Sequence, residues 1–418
     1  MDLVSLLVLV VAIVLAFIFK VNTGLVAISA SLILGRIAGL SDKWLLSAFD
    51  SNLFLMLLGV MYLFCIAQEN KTLELLAKKI LALCKGRVKL FPLILFVMSA
   101  VMSAVGPGLI SVTALMAALI VALAKEANTH PIRLLPFGVL GSFAGGLSPI
   151  APSGIIAISK AEEAGISGLS LPLFVMMAVT AALYCIILYF FVFKWHKFKT
   201  EKPEDAAKET IPAFSRHQIL TLVGIVITAL LTAVFQFNVG LVAFAVSVVL
   251  TALGSANEAA ALKKVPWSTL LMITGMGILI RAVTELGGID LLSSAISGLM
   301  GEKTATAVIA VMAGVISWFC STSGVVMPTL IPTAPALAAG LPTVTPLTLT
   351  IAICVSAHMA SISPLSSCGG LSLAAYSSDS SVTEKDRNKV FVQLFVLSAC
   401  GVLFAGVLGL LGLYGIGI

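Results

Sequence analysis

Long apolar runs, repeated from one end of the chain to the other, constrain its fold more than any other feature. Residues 3–19, 219–235 and 391–413 are three of them, and each is close to the ~20 residues that a helix needs to cross the ~30 Å hydrocarbon layer of a bilayer. Because such runs recur throughout the 418 residues, we do not interpret the first as a cleavable signal peptide. The sequence therefore predicts an all-α integral membrane protein with many spans.

The apolar segments fall into two units, each with five transmembrane spans plus one re-entrant hairpin, and a broken helix counts as one of the spans. A polar cytoplasmic linker at 195–216 joins them. The first unit, 1–194, has predicted spans at about 3–19, 22–40, 52–68 and 171–194, a hairpin at about 90–124 and a broken helix at about 134–160. The second unit, 217–418, has predicted spans at about 217–235, 239–254, 267–285 and 390–415, a hairpin at about 305–338 and a broken helix at about 347–376.

The distribution of Lys and Arg orients these spans. With the N-terminus outside, the predicted cytoplasmic loops hold most of the chain's 25 Lys and Arg residues, including those at 71–89 and 194–216. Lys43, Lys160 and Lys303 remain in predicted outer loops. We therefore predict that both termini are periplasmic or extracellular, and that the net charge of +6 reflects membrane topology rather than nucleic-acid binding.

The chain resembles itself at a constant offset of 216 in residue number. The register holds without a gap, and its least common matches are Asn22 with Asn238, Gly59 with Gly275, and Glu69 with Glu285. Because each unit crosses the membrane five times, corresponding spans run in opposite directions. Inverted repeats of this kind place a binding site near the bilayer midplane and are typical of secondary transporters.

Four breaks rich in glycine, serine and proline interrupt the apolar spans, at 105–108, 145–154, 321–324 and 361–370. Backbone that leaves a helix at membrane depth is tolerated only where protein or a water-filled cavity satisfies its polar groups. The helix starts at such breaks direct free N–H groups and the positive end of the helix dipole at an anion. We therefore predict a carboxylate site formed by Gly106, Pro107, Gly108, Ser148, Pro149, Ser153, Ser321, Thr322, Ser323, Ser363, Ser366 and Ser367.

Few ionisable residues lie at the predicted membrane depth. His358 precedes the fourth break, and its imidazole is a candidate ligand or carrier for the coupling ion. Ser148 and Ser363 are the other coupling-ion candidates. The alternative for His358 is a structural role as a hydrogen-bonded histidine. Arg281 and Glu285 are predicted to form an ion pair at a span end. The seven cysteines lack metal-binding spacing, so we predict no cofactor and no tightly bound metal.

Several of these motifs resemble the malonate and dicarboxylate carriers of the MatC type. The residues that carry the resemblance are 52–55, 62–68, 85–87, 106–108, 130–131 and 144–149. That family is similar in plan to the divalent anion/sodium symporters of the ion transporter superfamily. The resemblance implies a homodimer, a mobile domain of hairpins and broken helices, elevator motion, and substrate or ion contacts at 106–108, 148–153, 321–323 and 363–367.

One departure from that wider group concerns the coupling ion. The symporters carry Ser-Asn-Thr at their hairpin tips and broken helices, whereas none of the four breaks in this chain contains asparagine. Backbone carbonyls and Ser or Thr hydroxyls remain as possible Na⁺ ligands, and both sodium and proton coupling stay open.

The sequence thus predicts secondary active uptake of a small organic dicarboxylate such as malonate across the bacterial inner membrane, driven by a sodium or proton gradient. An antiporter or exporter of another anion, such as a tricarboxylate or an oxyanion, is the alternative. An enzyme would need a nucleophile with its base, paired carboxylates or a metal cluster at membrane depth, and a sensor would need a soluble output domain. We therefore predict a transporter that is not an enzyme, with an organic anion, lipid and a second copy of the chain as its partners.

Overall fold

The computed structural model describes residues 1–82, 88–126, 129–197, 212–235, 237–377 and 382–416. These residues form helices and turns and contain no strand. Cys84, the motif at 85–87 and most of the predicted linker lie outside the described residues.

The first predicted unit begins its helices at residues that favour helix starts. Asn22, Ser41 and Asp50 each cap the helix that follows by accepting a hydrogen bond from a backbone amide. The α-helices described here are α1 (Asp2–Phe19), α2 (Thr23–Ala38), α3 (Asp42–Ser47), α4 (Ser51–Glu69), α5 (Thr72–Ala82), α6 (Phe91–Ala104), α7 (Gly108–Glu126), α8 (Leu135–Gly146), α9 (Pro152–Glu163) and α10 (Ser170–Ile187).

The second predicted unit has helices that begin in the same order. Those described are α11 (Arg216–Phe235), α12 (Val239–Ala252), α13 (Glu258–Lys264), α14 (Trp267–Glu285), α15 (Gly288–Ser297), α16 (Ala305–Phe319), α17 (Met327–Leu330), α18 (Ala334–Ala339), α19 (Pro346–Ala360), α20 (Ser367–Ser377) and α21 (Glu384–Leu410). The starts of α12, α13, α14 and α15 correspond to those of α2, α3, α4 and α5 at the offset of 216 seen in the sequence. The short helices α3 and α13 were not expected from the apolar pattern, because each has only six or seven residues.

Long apolar helices give the structure a surface suited to lipid. By length and composition, the helices able to cross a membrane within the described ranges are Ser51–Glu69, Ser170–Val192, Trp267–Glu285 and Glu384–Leu410, accompanied by shorter apolar helices. Rows of exposed apolar side chains, such as Leu32, Ile33 and Ile37 on α2, suit contact with lipid better than contact with water. The all-helical, apolar architecture agrees with the predicted multi-pass membrane protein, and the full set of ten spans stays a prediction.

Two glycine contacts bring helices of different units into backbone contact. Helix α2 crosses α14 with Gly24 against Gly275, and α4 crosses α12 with Gly59 against Gly240. A Cβ on Gly275 would lie less than 3.0 Å from the Gly24 carbonyl oxygen, and one on Gly59 equally close to that of Gly240. Gly24 corresponds to Gly240, and Gly59 to Gly275, at the same offset of 216, so exchanging the two units turns one contact into the other.

Asparagine side chains close the same two crossings. Asn22 donates to the Ser268 hydroxyl over 2.8 Å, and Asn238 donates to the Asn52 side chain over 3.1 Å. These two bonds also exchange at the offset of 216, and each asparagine still caps its own helix through its Oδ1.

A charge cluster holds α9 to the start of α4. Lys160 is only 6% exposed, and its Nζ lies 2.7 Å from Glu163 Oε1 and 3.5 Å from Asp50 Oδ2. Asp50 also accepts from the Leu53 amide over 2.9 Å. A buried ammonium is stable only with such partners, so the cluster ties the two helices together.

The predicted ion pair between Arg281 and Glu285 is wrong. The Arg281 guanidinium instead donates to the Ser47 carbonyl over 3.0 Å and lies over the Trp44 ring, 5.8 Å from its centroid. Helix α3 brings both partners within reach, and a planar guanidinium favours an aromatic face combined with a carbonyl.

Helices α8 and α19 occupy the centre of the fold. Every residue of α8 is buried, as is every residue of α19 from Leu349 to its end. Over these residues neither helix has a face that meets water, as is typical of helices in the core of a large protein. Phe143 of α8 and His358 of α19 meet edge to face there, with ring centroids 6.4 Å apart.

Candidate functional site

A cavity of about 320 Å³ lies where four helix starts come together. The first residues of α7, α9 and α20 line it, as do those of the short π-helical segment Thr322–Val326. Apolar side chains such as Met61, Phe64 and Phe319 form part of its wall. Its hydroxyl groups belong to Ser111, Ser153, Thr269, Ser321, Thr322, Ser323, Ser361, Ser366 and Ser367.

The first break turns between α6 and α7 on two glycines with positive φ. Gly106 has φ 140° and Gly108 has φ 76°, conformations that other residues rarely adopt. A Cβ on Gly106 would also strike the Phe64 ring. Among the described hydrogen bonds, none uses the amide N–H of Leu109 or Ile110, so the start of α7 presents free donors beside the cavity.

Gly108→Val is expected to lower uptake about 100-fold or more while leaving membrane insertion intact. Valine at φ 76° is strained by about 1–3 kcal/mol, and its Cβ would press on the Pro152 ring, 3.1 Å away. The measurement is uptake by reconstituted protein of matched monodispersity.

Gly324→Ala is the milder comparison, because the three nearest atoms to a Cβ there all belong to the flexible Met272 side chain, with its methyl nearest at 2.6 Å. A Gly108→Val variant with wild-type uptake would contradict the assignment of this turn to the site.

The second break separates α8 from α9 at residues 147–151. Helix α9 begins without a side-chain cap, which leaves its first amides available. Ser148 is buried and donates from its hydroxyl to the Ala104 carbonyl, behind the cavity. Ser153, the second residue of α9, lines the cavity, and its Oγ lies 3.0 Å from Ser323 Oγ of the other predicted unit.

The third break holds a hydroxyl network. Ser321 accepts from the Gly324 amide over 3.1 Å and so starts the π-helical segment. Thr322 Oγ1 lies 2.6 Å from Ser317 Oγ and 2.9 Å from Ser361 Oγ. The network fixes the third and fourth breaks relative to each other, and Ser361 lines the cavity although it was not among the predicted site residues.

The fourth break folds back on itself between α19 and α20. Ser366 donates to the Ser361 carbonyl over 2.6 Å, and the Gly369 amide donates to the same oxygen over 3.0 Å. Ser363 is fully buried and accepts from the Leu365 amide over 3.2 Å. These hydrogen bonds stabilise the turn, and the turn places the start of α20 at the cavity.

The structure brings most of the predicted site residues to the cavity and leaves the others beside it. Those that line the cavity are Pro107, Gly108, Ser153, Ser321, Thr322, Ser323, Ser366 and Ser367. Gly106, Ser148, Pro149 and Ser363 do not line it. All four lie in the turns at the breaks, and Pro149 is exposed there.

His358, the coupling-ion candidate, lies outside the cavity lining. It is fully buried, and its Nδ1 lies 2.7 Å from the Cys354 carbonyl. Within the described chain, no partner is found for its Nε2. Its role in ion coupling stays a prediction, as do those of Ser148 and Ser363.

His130, one of the residues of the family resemblance, lies in the loop before α8. Its Nδ1 accepts from the Ile132 amide, and its Nε2 lies 3.2 Å from the Tyr376 hydroxyl at the end of α20. Burial lowers the pKa of His130, and the charge of Lys389 lowers it further. The imidazole therefore links the loop before α8 to the far end of α20.

The electrostatics of the cavity favour an anion. No Asp, Glu or Arg lines it among the described residues, and the one charged lining side chain there is Lys264. Helix starts contribute partial positive charge, and hydroxyls and amides donate hydrogen bonds to carboxylate oxygens. The described residues contain no group of three or more His, Cys, Asp or Glu placed to hold a metal ion.

Comparison with known protein families finds a match for this chain. The family model CitMHS, described as citrate transporter, matches residues 3–356. A search of curated proteins found no match.

Proposed function

The chain belongs to the CitMHS citrate transporter family, and from this premise we propose that it takes up a small organic di- or tricarboxylate by symport with sodium ions or protons. Membership makes it a secondary membrane transporter of carboxylate or other anions. A dicarboxylate such as malonate remains the proposal that follows from the MatC resemblance. The family's description as citrate transporter favours a tricarboxylate as the second candidate.

The observation that supports this proposal is the meeting of four helix starts at one cavity without an acidic lining residue in the described chain. Each start adds a partial positive charge of about half an elementary charge, and any amide left unbonded there donates along the helix axis. A carboxylate gains these hydrogen bonds without a buried guanidinium or ammonium beside it, which keeps its release into water feasible.

Alternating access by two inverted repeats is the proposed mechanism. At an offset of 216, the residues of the Gly24–Gly275 contact correspond to those of the Gly59–Gly240 contact. This correspondence supports such repeats. In this proposal α2, α4, α12 and α14 belong to a scaffold through which a homodimer forms, and the hairpins and broken helices move as an elevator that carries the substrate.

The proposed state of this structure is inward-facing. The cavity extends to Lys264, which the Lys and Arg distribution places on the cytoplasmic side. On the side predicted to be periplasmic, Lys160 pairs with Asp50 and holds α9 against α4. Movement to an outward-facing state would have to separate that pair.

Reconstituted protein is expected to accumulate a labelled carboxylate above its outside concentration when an inward sodium or proton gradient is imposed. Malonate, succinate and citrate are the acids to compare, each with a sodium gradient alone, a proton gradient alone, and neither. Counterflow with preloaded acid separates symport from exchange. Liposomes without protein are the control, and failure to move any of the acids under every gradient would contradict the proposal.

A further inference from the structure

Lys264 is the one charged residue that lines the cavity within the described part of the chain, and the Lys and Arg distribution places it on the cytoplasmic side. It is the last residue of α13 and is exposed, and α13 packs against α4. Cys65 and Gln68 of α4 line the same cavity. Its neighbour Lys263 is also exposed but does not line the cavity.

We propose that Lys264 binds a substrate carboxylate beyond those held at the helix starts, and so sets the number of carboxylates on the preferred acid. The inference rests on the proposed function and narrows it. A polycarboxylate with one additional carboxylate is then preferred over the otherwise identical acid that lacks it.

The two kinds of positive charge in the cavity differ in a way that supports this division. Helix starts are fixed partial charges, which hold a carboxylate at one position. A lysine ammonium is a full charge on a flexible four-carbon stem, which can follow a carboxylate over several ångströms. Since no ion pair of Lys264 is found within the described residues, its ammonium is available to the substrate.

The exposure of Lys264 limits the size of the effect. Water and salt screen an exposed charge pair, so its contribution corresponds to about a threefold to tenfold change in affinity. The same screening predicts that the preference shrinks as ionic strength rises.

Tricarballylate and glutarate are suitable probes, because they differ only by a carboxylate on the central carbon. Their dissociation constants are measured by calorimetry on the full-length protein in detergent at about pH 8, where the acids are ionised. Wild type is expected to bind tricarballylate more tightly than glutarate. Lys264→Gln should weaken tricarballylate about threefold to tenfold and change glutarate by less than about twofold.

Lys263→Gln is the matched control, since it removes the same charge one residue away and should leave the ratio of the two constants unchanged. Lys264→Arg should keep most of the preference, which separates loss of charge from a packing defect. Equal weakening of both acids by Lys264→Gln, or the same ratio change in Lys263→Gln, would overturn the proposal.

The result also separates this inference from the proposed function. A wild type that binds both acids equally tightly overturns the role of Lys264 and leaves carboxylate transport standing. A wild type that binds neither acid overturns the inference as well, and the uptake assay then decides whether the proposed function fails with it.

Discussion

Gly369→Ala is expected to abolish carboxylate uptake, with an initial rate about 100-fold or more below wild type. Gly369 lies in the first turn of α20, and a Cβ there would lie less than 3.0 Å from the carbonyl oxygens of Ile362 and Ser363. Those oxygens belong to the backbone turn between α19 and α20, so no side-chain rotation relieves the clash. The start of α20 would have to move away from the cavity.

Gly370→Ala is the matched control for this substitution. A Cβ on Gly370 would lie 3.5 Å from the Pro364 carbonyl oxygen, which is an ordinary contact, so uptake should stay close to wild type. Both variants are compared as initial uptake rates in proteoliposomes with equal amounts of monodisperse protein. Wild-type rates for Gly369→Ala would show that the fourth break does not depend on this close approach.

Gly154→Ala should reproduce the loss. Gly154 occupies the matching place in the other broken helix, and its Cβ would meet the Ser148 carbonyl oxygen at less than 3.0 Å. At both broken helices, the glycine thus allows the start of a helix to pack closely against the turn that precedes it.

Gly275→Ala is expected to destabilise the whole protein by about 3 kcal/mol or more. Its Cβ would strike the carbonyl of Gly24 where α14 crosses α2, and only separation of the two helices makes room. The expected measurement is a fall of about 3 °C or more in the unfolding temperature of detergent-purified protein. Gly59→Ala should behave alike at the other crossing, against Gly240.

Gly277→Ala, two residues further along α14, is the control for the crossing. Nothing lies within 4 Å of the Cβ position there, so alanine should raise helix stability by up to about 1 kcal/mol. Opposite shifts of the unfolding temperature for the two variants are expected. Equal shifts would mean that the crossing tolerates a wider separation than the structure shows.

The positions of the helix breaks could be predicted from the sequence because they depend on local backbone chemistry. Glycine with positive φ, proline and short hydroxyl side chains mark the end of a helix without reference to the rest of the fold. The breaks at 105–107, 147–151 and 361–366 therefore fall inside the predicted segments.

The division between residues that line the cavity and those that support it could not be predicted, because it depends on how the turns face in three dimensions. Ser148 and Ser363 resemble Ser153 and Ser366 in sequence context, yet only Ser153 and Ser366 line the cavity. Lys264 was missed as a site residue for the same reason, since nothing local distinguishes it from Lys263.

The helix crossings could not be predicted from the sequence either. The match of Gly59 with Gly275 was visible as self-similarity, but its cause is contact of each with a glycine of the other unit. The Arg281 error has a similar origin, because the spacing to Glu285 is local whereas Trp44 and Ser47 come from a helix too short to predict.

Hydroxyl and amide groups dominate the polar part of the cavity, and such groups neither gain nor lose a proton between about pH 4 and 10. Organic acids do change their ionisation at the acidic end of this range. A lower pH therefore changes the ionisation of the substrate and not that of the hydroxyls and amides that hold it. A protonated carboxyl group offers these donors one fewer acceptor. Under the proposed function, the site therefore favours the ionised form of an acid while its own donors stay the same.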